Sequence, residues 1–138
     1  MDNPCIIIAN IGKTDVPVIV NSRECYSIIT TGLLESLKIR CNNVKFIQKQ
    51  IVLSEKYVNV VGKIKKFSFN LQFVLLHYDI YIVNDEMPLF LLGQDWISRH
   101  SVRYNFTCTH LYVNYLQRKF VYQYISWEKK NLNTIKLN

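Results

Sequence analysis

Glycine and proline are scarce in this chain, four and three among 138 residues, so it is neither collagen-like nor a flexible low-complexity linker. Alanine and methionine are rare beside Ile, Val, Tyr and Phe, a bias toward strands. No long uncharged apolar run exists. Val16–Val20 and Leu71–Leu76 are strand-sized, so no membrane span is expected. The N-terminal residues lack a basic segment followed by an apolar one and a small-residue cleavage site, which leads us to expect an intracellular protein, cytoplasmic or nuclear. Cys5, Cys25, Cys41 and Cys108 show no Cys-x-x-Cys spacing and read as free thiols in a reducing compartment. The Asn105-Phe106-Thr107 sequon would then stay idle. Acidic residues are few, ten against seventeen Lys and Arg, and the net charge of +7 serves solubility as readily as an acidic partner.

What the chain does have is apolar content of 49%, enough for one domain with a real core. Cys5–Ile11 and Val16–Val20 read as a hairpin about a Gly12–Asp15 turn, with Pro17 at a strand entrance. Gly12-Lys13-Thr14 lacks the upstream glycine and following helix of a phosphate loop. Thr30 or Thr31 should cap a short helix over Leu33–Leu37. Val44–Leu53 and Tyr57–Val61 form a second hairpin around Ser54-Glu55-Lys56. Phe67–Leu76 and Tyr78–Val83 form a third, with a bend at His77. Later strands fall at Val102–Phe106, Leu111–Val113 and Val121–Ile125, and a frayed tail is expected from Asn131. A helical reading of the late strands is the alternative.

Between them lies Leu89-Phe90-Leu91-Leu92-Gly93-Gln94-Asp95-Trp96-Ile97, an apolar strand that breaks at a glycine and turns into a short helix. This segment resembles the Leu-Gly-x-Asp-Trp-Leu stretch of retroviral and retrotransposon aspartic proteases, the retropepsin-like family. The order of elements from about Cys5 to Phe106 matches that family as well. The resemblance implies an all-β, closed, barrel-like acid-protease fold with one or two short helices, acting as a two-fold homodimer. It makes Leu92, Gly93, Asp95 and Trp96 a structural signature, with Asp95 at a helix start rather than in catalysis. It also implies a retropepsin-like domain over residues 1–116 and a C-terminal strand extension with a basic tail over 117–138.

Aligning Ser27-Ile28-Ile29 with the family puts Asn21 where the catalytic aspartate should be, Ser22 at the Thr/Ser and Arg23 at the glycine. Family proteases need two carboxylates sharing one proton, and an asparagine amide can neither take that proton nor share it. One exchange could be a silenced enzyme, but Arg23 is a second. The flap implied by the resemblance has Ser54, Glu55 and Lys56 at its tip, without the glycine that lets backbone approach a peptide. Glu24, Asp79, Asp85 and Glu86 read as solvated carboxylates. The function expected is therefore a catalytically inactive retropepsin-like domain serving dimerisation and protein interaction, and not an enzyme.

Two alternatives stand beside it. One is an active aspartic endopeptidase with a non-standard site. The other is a basic nucleic-acid-binding module built on Lys63, Lys65 and Lys66 or on Arg118 and Lys119. Tyr112, Phe120, Tyr122, Tyr124 and Trp127 lie near the second basic group and read more readily as sheet-packing or interface residues. Cys108 and His110 are two ligands where zinc needs about four, so no metal and no cofactor is expected.

Overall fold

The computed structural model describes residues 4–72, 74–100, 102–105, 110–115, 118–123 and 125–126, of which 103–105, 110 and those from 115 onward are described by backbone alone. The chain begins with two strands, β1 (Cys5–Ile11) and β2 (Thr14–Val20), in full antiparallel register from Cys5↔Val20 to Ile11↔Thr14. Gly12, at φ 64, makes the tight turn between them. Pro17 falls inside β2 and not at its entrance. It is tolerated there because the next strand along the sheet pairs with β2 only at Ile19 and Val20.

Strand β3 (Ile28–Thr30) leads into helix α1 (Thr31–Leu37), which starts two residues before the Leu33 expected from its apolar face. Thr30 is the cap: its hydroxyl accepts from the Leu33 amide at 3.2 Å. Next come β4 (Val44–Leu53), β5 (Lys56–Leu71) and β6 (Val74–Val83). Here the sequence reading needs correction. The residues from Gly62 to Lys66, which fall between the second and third expected hairpins, belong to one 16-residue strand, and the turn lies at Gln72 rather than His77. His77 is mid-strand, opposite Ser68. The turn at Gln72 uses φ 44 without glycine or proline, so no punctuating residue marks it, while Lys66 at φ 54 absorbs a bulge between Ile64 and Phe67.

The chain closes with β7 (Phe90–Leu92), helix α2 (Gln94–Arg99), β8 (Arg103–Asn105), β9 (His110–Tyr115), β10 (Arg118–Gln123) and β11 (Ile125–Ser126). An eight-stranded sheet runs β11-β1-β2-β7-β3-β6-β5-β4, closed by a further β1–β5 pairing, and β10-β9-β8 form a small second sheet. The result is the closed, barrel-like, mostly β fold with two short helices that the resemblance implied. One apolar cluster fills the barrel with Val18, Phe69, Leu76, Ile80, Phe90 and the fully buried Trp96. A second, on the other face of the sheet, joins Ile28, Ile51, Val60, Val83 and Leu91.

The C-terminal strand β11 pairs with β1 of the same chain, Ile6↔Ile125 and Cys5↔Ser126. It therefore covers a flank of β1 that would otherwise expose backbone donors and acceptors. No helix among the described residues is long and apolar enough to cross a membrane.

Candidate functional site

The site is built where β2, β3 and β7 meet. Parallel pairing of β2 with β7 (Ile19↔Leu91, Val20↔Leu92) and antiparallel pairing of β7 with β3 (Ile28↔Leu91) put the loop 21–27 directly over the corner at Gly93. The Asn21 amide donates to the Leu92 carbonyl at 3.0 Å, fixing the loop at its start. At its far side, the Gln94 and Asp95 amides donate to the carbonyls of Glu24 and Cys25 at 2.7 and 3.3 Å.

Gly93 is required by this closeness. A Cβ there would stand 2.7 Å from the carbonyl oxygens of both Glu24 and Tyr26, well inside contact distance. Asp95 then fastens the corner to the loop. Its carboxylate accepts from the Ser27 hydroxyl at 2.7 Å, the Ser27 amide at 3.1 Å and the Trp96 amide at 2.8 Å. The Ser27 hydroxyl in turn accepts from the Gly93 amide at 3.0 Å. Tyr78 joins this group, its phenol pushed up to about 12, first by burial and next by the nearby Asp95 carboxylate. Beneath the corner, Trp96 packs against His100 at a ring separation of 5.4 Å. Its indole nitrogen has no hydrogen-bond partner among the described residues.

The loop itself carries little that could move a proton. Asn21, half-buried, accepts from the Arg23 amide through its side-chain oxygen at 3.0 Å, so that oxygen is turned back onto its own loop. Arg23 is exposed. Glu24 overturns the expectation of a solvated carboxylate: it is 8% exposed, and both its oxygens accept from the Ser54 amide, at 2.8 and 3.2 Å. Asp79, Asp85 and Glu86 are exposed. Asp79 accepts from the Lys66 amide in the bulge, and Asp85 from the Met87 amide in its own turn.

Ser54 and Glu55 form the tip of the β4–β5 hairpin, both with left-handed backbone, φ 50 and 64. A two-residue turn of that kind ordinarily favours Asn-Gly. Glu24 therefore pins a hairpin tip made of non-glycine residues to the loop beneath it. Behind the tip, Ile51 is 5% exposed and packs with Ile28 and Leu91 of the floor. Lys56 begins β5, opposite Leu53.

Of the other residues singled out, Lys63 stands opposite Lys45 on β4 and opposite Tyr81 on β6, whereas Lys66 lies in the bulge. Tyr112 is half-buried on β9, opposite Val121. Phe120, Tyr122, Arg118 and Lys119 lie on β10 and are described by backbone only; Tyr124, Trp127 and Cys108 fall outside the described residues. Among the described residues, no three His, Cys, Asp or Glu side chains converge as metal ligands would. Two cavities, of about 530 and about 430 Å³, are lined elsewhere: the first by Ile8, Asp15 and Asn70, the second by Gln48, Lys49 and Asn84.

The architecture is that of the retropepsin-like aspartic proteases. The retroviral protease-like domain of Ddi1 from Leishmania major is similar over 91% of this chain and 96% of its own, with a TM-score of 0.65 at 14% identity. EIAV protease complexed with the inhibitor HBY-793 is similar over 71% of this chain and 88% of its own, with a TM-score of 0.54 at 18% identity. At such identities the likeness is one of fold. No protein-family model and no curated protein matches the sequence.

Proposed function

We propose that this chain is a catalytically inactive retropepsin-like domain that works as a dimerisation and protein-interaction module inside the cell. The observation that carries the reading is the side chain at the end of β2: Asn21, an amide whose oxygen is engaged by the Arg23 backbone. Aspartic-protease chemistry needs two carboxylates close enough to share a proton, and repulsion between them supplies the shifted pKa. The carboxylate within the loop and the one hydrogen-bonded to Ser27 at its end are already committed. Glu24 holds the flap tip and Asp95 holds Ser27 and the first turn of α2. Support for a protein contact comes from the flap, where Val52 and Tyr57 face each other across the hairpin, 51% and 76% exposed.

The test combines digestion of an unstructured protein substrate across acidic to neutral pH with sedimentation of the purified chain. The expected outcome is no cleavage and a mass of twice the 16.3 kDa chain. Cleavage abolished by Glu24→Gln would instead establish an endopeptidase with a non-standard carboxylate. A strict monomer at all concentrations would remove the dimerisation role.

A further inference from the structure

One register row crosses six strands of the main sheet: Lys45, Lys63, Tyr81, Ile28, Leu91 and Ile19, from β4 through β5, β6, β3 and β7 to β2. Its inner half is the apolar floor under the flap. Its outer half is cationic. Lys49, two rows along at its pairing with Val60, reaches over to donate to the Tyr81 hydroxyl at 2.9 Å. The Lys49 ammonium lies 4.5 Å from the centroid of the Tyr81 ring and 5.4 Å from that of Tyr26, and the Lys63 ammonium lies 5.7 Å from Tyr81. Tyr26 meets Tyr81 edge-on at 5.5 Å.

Three features of this face call for an explanation. Lys45 and Lys63 sit directly opposite each other, an arrangement that destabilises a sheet by like-charge repulsion. No carboxylate among the described residues pairs with Lys45, Lys49 or Lys63. Finally, the ammonium of Lys49 is held in place by a hydroxyl and two rings rather than left to sweep through solvent. Lysines that only guard a sheet edge against aggregation belong on the edge strand. β4 is that strand, but Lys63 lies on β5, inside the sheet.

We infer that the face formed by Tyr26, Lys45, Lys49, Lys63 and Tyr81 docks an extended acidic segment of a partner protein. Carboxylates spaced along such a segment neutralise the opposed Lys45–Lys63 pair and take the remaining donors of Lys49. A nucleic acid fits less well. Single strands bind by stacking bases on open ring faces, and here ammonium groups stand over the rings of both tyrosines. A hollow of about 430 Å³, lined by Lys49 together with the amides of Gln48, Gln50, Asn59 and Asn84, opens beside the face and supplies neutral donors and acceptors to the same ligand. The inference rests on the protein-interaction reading above and names the partner's chemistry.

The experiment follows fluorescence anisotropy of a labelled peptide of alternating Glu and Asp against the full chain. Its Gln/Asn counterpart and a single-stranded oligonucleotide of equal charge are the comparisons. The acidic peptide should bind and its amide counterpart should not. The triple variant Lys45→Gln/Lys49→Gln/Lys63→Gln should weaken binding by about tenfold or more. Tyr81→Phe, which keeps the ring and drops the hydroxyl, should weaken it by about twofold to threefold. All of these positions are at least partly solvent-exposed, and a thermal melt checks that each variant still folds. A folded triple variant that binds the peptide like the parent overturns the inference, as does an oligonucleotide that binds more tightly than the peptide. Proteolysis by the chain would sink the parent reading whatever the peptide does, so the two failures are told apart.

Discussion

The corner at Gly93 and the loop at Asn21 touch each other, yet they are built in different ways. At the corner the framework is intact: a glycine where backbone crowds in, a carboxylate with three donors, a buried Trp beneath. In the loop, Asn21 turns its amide oxygen back onto the Arg23 backbone, and the buried acid three residues on is engaged by the Ser54 amide at the hairpin tip. The joint fixes where the loop lies, and the loop's own contacts are made separately to the hairpin tip. What the joint contributes is position and stability, and neither depends on chemistry.

That contrast can be broken most severely at the joint. Gly93→Ala should destabilise the fold by on the order of 4 kcal/mol in denaturant unfolding, because the new methyl meets two backbone oxygens that cannot move aside. Asp95→Ala should cost about 2–3 kcal/mol, leaving the Ser27 amide and hydroxyl without their acceptor, while the Trp96 amide keeps the Gly93 carbonyl. The loop should respond differently. Glu24→Ala removes one charge-assisted contact and should cost only about 1 kcal/mol globally, while amide exchange at Ser54 rises sharply because its acceptor is gone. If Glu24→Ala proved as damaging as Gly93→Ala, the division between joint and loop would fail.

The smallest effect sharpens the same comparison through pH. Burial, with a lesser push from the Arg99 charge, holds the buried His100 imidazole below its ordinary value of 6.5, while a backbone hydrogen bond with Asn114 opposes the shift. In the folded chain His100 then stays neutral where the unfolded chain has taken up a proton, so unfolding is favoured as pH falls through the unfolded pKa. Melting temperature should drop by about 1–3 °C between about pH 7.5 and about 5.5, and His100→Gln should flatten that slope. An unchanged slope in the variant would place the sensitivity outside the joint.

The element order and the corner were legible in the sequence because both are written locally. Apolar alternation marks strands, Gly93 interrupts an apolar run, and Thr30 announces a helix. The long strand β5 was not legible. Its bulges are carried by Lys66 and by the offset near Gly62, and its turn by Gln72, residues that carry no turn preference to read. Glu24 was misread for a different reason. A glutamate in a polar loop is ordinarily solvated, and its partner Ser54 lies 30 residues away, so only the folded hairpin brings the two together. The cationic face was half visible as Lys63. Its other members come from two further strands and the site loop, a grouping that register alone creates.

The 16 residues of β5 also have a mechanical side. The strand pairs with β4 along the flap, with β6 from Val60 to Leu71, and with β1 at Asn10↔Asn70, so one unbroken spar joins the flap to the opposite end of the barrel. A pull on the hairpin tip directed along the strands loads the ladder bonds of the whole spar in shear. Its two bulges, at Val60/Gly62 and Ile64/Phe67, are the points where it can flex. A force applied at the tip of the β4–β5 hairpin therefore pulls on the core, and the load reaches β1 through β5 without passing through the loop 21–27.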